Sequence, residues 1–176
     1  MCRRNLGFTL IELLVTLAVA AILLVIGVPQ FQSVINRNQV AAVTNNFVSA
    51  LSSARSEAAK GGAITTLCMS SNGAACTGNS GWANGWIIWS DRNNNGALDN
   101  GEIIGVQGPL IAGKATVGGG AQTSFSFNGQ GALTTAAGGD TINACTPSDL
   151  TLSNQIKIDA SGHVQRIANP TLGNCP

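Results

Sequence analysis

The chain has 176 residues, 10% of them charged, with nine basic and eight acidic side chains for a net charge of +1. That length holds one core of moderate size with an appended element, and 44% hydrophobic content excludes a disordered chain. Past Arg3 and Arg4, seven basic residues face eight acidic ones, a net charge of −1, so bulk charge gives no sign of a nucleic-acid or acidic partner.

Residues 8–28 form an apolar run of 21 residues, broken only by two threonines, Gly27 and the acid Glu12. A helix of that length spans about 31 Å, close to the ~30 Å hydrocarbon layer of a bilayer. Arg3 and Arg4 precede it, so the positive-inside rule leaves the N-terminus in the cytoplasm and sends the remainder outward. A cleaved secretory signal is the competing reading. The run is too long for its apolar region, contains an acid and ends in V-P-Q-F instead of A-x-A.

Helical spacing continues beyond the run. Val40, Val43, Phe47, Leu51, Ala54 and Ala58 recur at steps of three and four, and Lys60-Gly61-Gly62 supplies a stop. Pro29 lacks a backbone donor, which predicts a kink or local melting there. From residue 63 onward short β-prone runs alternate with turns: 64–69, 86–89, 102–106, 123–127, 149–152, 155–158 and 163–167. Between them lie Asn128-Gly129-Gln130-Gly131, Ala137-Gly138-Gly139-Asp140 and Ala160-Ser161-Gly162. The fold expected is α+β: a long N-terminal helix, transmembrane in its first half and amphipathic in its second, packed on an antiparallel β-sandwich.

Gly7-Phe8-Thr9-Leu10-Ile11-Glu12-Leu13 resembles the processing and assembly motif of type IV pilins and type II secretion pseudopilins. The resemblance implies cleavage by a prepilin peptidase between Gly7 and Phe8, N-methylation of Phe8, and an assembly role for Glu12, fifth after the cut. Residues 47–58, Gly85-Trp86-Ile87-Ile88-Trp89-Ser90-Asp91 and residues 162–166 narrow it to the minor pilins and pseudopilins of the FimT, FimU and GspH group. The organisation then expected is a leader at 1–7, a transmembrane and assembly helix at 8–28, an amphipathic helix at 29–62 and an extracytoplasmic β-rich domain at 63–176. The implied partners are other major and minor pilins in a filament, the peptidase and the bacterial inner membrane, with the globular domain periplasmic before it enters a pilus or pseudopilus.

Of five cysteines, Cys68, Cys76, Cys145 and Cys175 lie beyond the apolar run, an even number suited to disulfides; there is no C-x-x-C pair and one histidine, which argues against zinc. Three connectivities are open. The one without nesting pairs Cys68 with Cys76 and Cys145 with Cys175, and the second of these resembles the C-terminal disulfide loop of type IV pilins.

Two further motifs carry alternatives. D-R-N-N-N-G-A-L-D-N-G-E matches an EF-hand calcium loop, with Asp91, Asn93, Asn95, Asp99 and Glu102 as ligands and Gly96 at the turn. Its flanks, W-I-I-W and E-I-I-G-V, are strand-like, so the same loop reads as an Asn/Gly hairpin tip with no cofactor. Gly162-His163-Val164-Gln165-Arg166 stands where some FimT-type pilins carry a DNA-capturing G-R-x-R-like element. His163 replaces its first arginine, leaving Arg166 and the nearby Lys157 for weak, salt-sensitive binding. A lone histidine without a paired acid or free thiol assembles no nucleophile and base, so catalysis is not expected. Trp86 and Trp89 fall on opposite faces of a strand, which favours core packing over a sugar platform.

Overall fold

The computed structural model describes residues 8–78, 81–111, 114–135, 138–147, 149–168, 170 and 175. Gly7 and the rest of the expected leader lie outside the described residues. The chain divides into two compact units, Met1–Ile35 and Asn36–Pro176. One helix, α1 (Leu10–Gly61), contributes to both.

In the first unit α1 has no internal partner for its apolar side chains: Leu10, Leu14, Leu17, Leu24 and Phe31 are all exposed. It is long and apolar enough to cross a membrane by length and composition. Thr9 opens it, accepting the Glu12 N–H on its Oγ1 at 3.3 Å, so Thr9-x-x-Glu12 supplies half of a capping box. The helix continues through Gly27 and Pro29 without the local melting that proline predicts.

Among the described residues the second unit carries eight strands in two antiparallel sheets. The first sheet has the order β3 (Ile103–Gln107), β2 (Trp86–Ser90), β1 (Thr65–Met69), β5 (Ser124–Phe127). The second runs β4 (Thr116–Gly118), β6 (Asp140–Thr146), β7 (Asp149–Ile158), β8 (Val164–Ala168). Residues 36–61 of α1 and both sheets share one core. Of the stripe expected from helical spacing, Val40, Phe47, Leu51, Ala54 and Ala58 are buried in it beside Leu67, Phe125, Phe127, Ile142 and Ile156, and Val43 packs against it half-buried. Phe47 sits at the centre, edge-on to Trp82 at 5.0 Å and to Trp86 at 5.2 Å, while Trp82 stacks on Phe125.

Trp89 lies on the other face of β2, in a second small cluster with Cys68 and Ile87 that Leu98 and Ile103 pack against. The alternation expected for Trp86 and Trp89 therefore holds, and both tryptophans are core residues. Burial of both faces explains why β1 and β2 are buried along their whole length, and why β2 opens with the unbroken apolar run W-I-I-W.

Two strands were not among the expected runs. β4 is only three residues long, and β6 begins at Asp140, the last residue of an expected turn. Its single large apolar residue, Ile142, gives little alternation to detect. Two expected runs, 149–152 and 155–158, are one strand, β7. The polar pair between them, Ser153 and Asn154, is buried and satisfied: Asn154 Nδ2 donates to Thr44 Oγ1 at 3.0 Å, and Ser153 Oγ donates to the Pro170 carbonyl at 3.0 Å.

Candidate functional site

Phe8 precedes the helix, 84% exposed, and Glu12 is exposed in its first turn. An acid there is favoured by the helix dipole, by about 0.3–1 kcal/mol at an exposed site. That is small beside the cost of a carboxylate at the edge of a hydrocarbon layer, so capping alone does not account for Glu12 within a membrane-length segment. No basic side chain follows Arg4 before Arg37, and Glu12 therefore has no internal counter-charge along this stretch.

The loop at 91–102 joins β2 to β3 as a hairpin. It gathers all five residues of the calcium motif, but their oxygens point at donors within the loop. Asp91, buried, accepts the Asn95 N–H at 3.0 Å on Oδ1 and the Gly96 N–H at 2.9 Å on Oδ2. Glu102, also buried, accepts the Arg92 N–H at 3.0 Å on Oε1 and the Asp99 N–H at 2.9 Å on Oε2. Asp99 Oδ2 takes the side-chain amides of Asn93 and Asn95, which hold its carboxyl below the usual range. The carboxylates thus close the hairpin tip by capping backbone donors. Among the described residues no group of three His, Cys, Asp or Glu side chains is placed to hold a metal ion.

The cations of the β7–β8 hairpin separate. Lys157 pairs in register with Gln165, and Arg166 with Ile156, so Lys157 and Arg166 stand on opposite faces of the sheet. His163 lies in the turn, its Nδ1 3.8 Å from Asp159 Oδ2. Asp159 organises that turn, accepting Ser161 Oγ–H at 2.6 Å and His163 N–H at 3.0 Å. Both bonds hold its carboxyl below the usual range. Gly162, at φ 75°, is required there because a Cβ would collide with the Gly131 carbonyl. Lys157, His163 and Arg166 therefore do not form one basic patch.

Arg55 was legible only as a polar break in the helical stripe, yet it ties α1 to this hairpin. Its Nε donates to the Gly131 carbonyl at 3.0 Å and its Nη2 to the Ser161 carbonyl at 3.3 Å. Nothing in the local spacing of R-S-E could have found those partners, which lie 76 and 106 residues away.

Cys68 and Cys76 form one disulfide, with Cα atoms 5.6 Å apart, and Cys145 and Cys175 the other, at 5.9 Å. The first closes the loop after β1 over the outer face of its sheet. The second ties residue 175 to β6.

Comparison with known proteins matches residues 43–162 to the family model described as type II transport protein GspH, and residues 2–28 to the prokaryotic N-terminal methylation motif. No curated protein sequence matches the chain. Two crystal structures of the Pseudomonas aeruginosa type IV minor pilin FimU, in different space groups, share its fold. One aligns at 18% identity with a TM-score of 0.57, covering 81% of this chain and 98% of that one. The other aligns at 16% identity with a TM-score of 0.51, covering 80% and 98%.

Proposed function

The chain belongs to the family described as type II transport protein GspH, and from that premise we propose that it is a minor pilin that enters a type IV pilus and primes its assembly or sits at its tip. Its family and fold are those of pilin structural proteins, and its role is assembly, not catalysis. The observation that carries this reading is Glu12, an exposed acid in the first turn of an exposed apolar helix, with no basic side chain between Arg4 and Arg37, inside a matched N-terminal methylation motif.

In this reading a prepilin peptidase cuts between Gly7 and Phe8, and the new Phe8 amine is methylated without losing its positive charge. Until the chain enters a filament, the helix holds it in the inner membrane with the globular unit on the periplasmic side. In a growing filament Glu12 of one subunit meets the Phe8 amine of the next. At ~4 Å and an effective dielectric of ~20 the attraction is of order 4 kcal/mol before desolvation costs. The exposed apolar side chains of residues 8–35 are then covered by neighbouring helices in place of lipid.

A type II secretion pseudopilin of the same architecture is the second reading, favoured by the description of the matched family. The likeness to FimU, and a disulfide closing the C-terminal segment, support the pilus. DNA capture has less support, because Lys157 and Arg166 face opposite sides of their sheet.

Mass spectrometry of the mature polypeptide tests the common premise: it should begin at an N-methylated Phe8, and any other start ends both readings. A deletion strain separates them. Loss of twitching with secretion intact is the outcome expected for a minor pilin, whereas loss of secretion alone assigns the pseudopilus.

A further inference from the structure

Arg37 on α1 and Arg166 on β8 line a single notch of about 200 Å³, with Val40, Leu152 and Asn154 between them. The sheet register explains the meeting. Arg166 pairs with Ile156 and so stands on the same face as Ile156 and Asn154, and Asn154 donates to Thr44 of α1. The fold thus brings two arginines, 129 positions apart in sequence, to the lining of one notch. Both are exposed, neither forms a hydrogen bond or ion pair with any described residue, and no carboxylate is among the described residues of the lining.

Five acids of the unit are engaged elsewhere. Asp91 and Glu102 are buried beneath backbone N–H groups, Asp140 accepts from Ala121 and Gln122, Asp159 holds its own turn, and Glu57 pairs with Lys60. Two like charges on one notch repel, and an anion supplied from outside relieves that repulsion. Guanidinium forks suit a planar two-oxygen group, and arginine is weakly hydrated, which makes it a common interface residue. The apolar wall of Val40, Ala41, Leu152 and Ala168 suits the methylene stem of an acidic side chain.

We propose that this notch receives an Asp or Glu carboxylate of a neighbouring pilin-type subunit, gripped from α1 by Arg37 and from β8 by Arg166; the proposal rests on the filament reading above. Nucleic acid is the less suitable anion. A phosphate backbone needs a track of cations, and the nearest further one along the hairpin, Lys157, lies on the opposite face.

The test uses the full chain in cells that assemble filaments, carrying Arg166→Lys. The variant keeps the charge and supplies an amine that a carbodiimide couples to a carboxylate in contact. The expected product is an amide-linked peptide from another pilin-type subunit, identified by mass spectrometry and reduced at least threefold when Arg37→Ala is added. Arg37→Lys should capture the same carboxylate, which guards against a folding defect in either variant. Arg92→Lys, an exposed cation in the 91–102 loop, is the control; coupling no more frequent than from that position overturns the proposal. So does retardation of duplex DNA by the purified full chain that depends on both arginines and occurs without any protein cross-link. Wild-type chain missing from sheared filaments removes the filament reading and this proposal together. Wild-type incorporation without a notch-specific cross-link removes the proposal alone.

Discussion

Two stretches of one helix teach different lessons. Between Val40 and Ala58 the apolar positions of α1 are buried against two sheets, Phe47 completely, whereas between Phe8 and Ile35 the large apolar side chains are exposed. Helical geometry is common to both, so it is not what distinguishes them. The second stretch spaces its apolar residues as a stripe and leaves polar residues for water, which suits a partner within the same chain. The first is apolar all round, which suits a partner that surrounds it, lipid or other helices. One segment stabilises the fold, and the other is available for assembly.

The comparison breaks most readily at Glu12. Glu12→Leu should leave membrane insertion intact, or strengthen it, and lower recovery of the chain in sheared filaments at least tenfold, read by immunoblot of membrane and filament fractions. Equal recovery would remove Glu12 from assembly. Next in size is a matched pair of truncations. Phe47→Ala empties a site enclosed by Trp82 and Trp86 and should cost about 3–5 kcal/mol of stability in a fragment beginning at Asn36. Leu24→Ala in the full chain should change the unfolding of the globular unit by no more than about 0.5 kcal/mol. A similar cost at both positions would contradict the division of labour.

The disulfides sharpen the contrast inside the globular unit. Removing Cys145–Cys175, with 30 positions between its ends, should cost about 3–4 kcal/mol, and removing Cys68–Cys76, separated by eight, about 2–3, in denaturant titrations of the paired Cys→Ser variants. Smaller again is the buried pair between α1 and β7. Thr44→Val leaves Asn154 Nδ2 without its acceptor and should cost about 1–3 kcal/mol, part of it recovered in Thr44→Val/Asn154→Leu. The smallest effect is one of pH. Because the Asp159 carboxyl titrates below its ordinary value, its contribution is present above that value and is lost as pH falls through the lowered one. Acid unfolding of Asp159→Asn should therefore lack that share, and an NMR titration of the Asp159 side chain should place its midpoint below those of unfolded peptides.

Much of this protein was legible in order along the chain. The apolar run, the helical stripe and the strands at 65–69, 86–90, 103–107 and 124–127 follow from spacing, because each depends on a residue's near neighbours. β6 and the union of β7 were not legible. Asp140 and the pair Ser153-Asn154 are polar where a strand should be apolar, and only partners far away in sequence satisfy them. The same holds at the surface. Residue types suggested a calcium loop and a basic hairpin; that backbone donors bind the loop's carboxylates, and that strand alternation separates Lys157 from Arg166, emerged only with the fold. Which segments are apolar, where they turn and which motif opens the chain are local properties, readable from neighbouring residues. Which polar groups come together is not, because Thr44 with Asn154 and Arg37 with Arg166 are joined across more than a hundred positions.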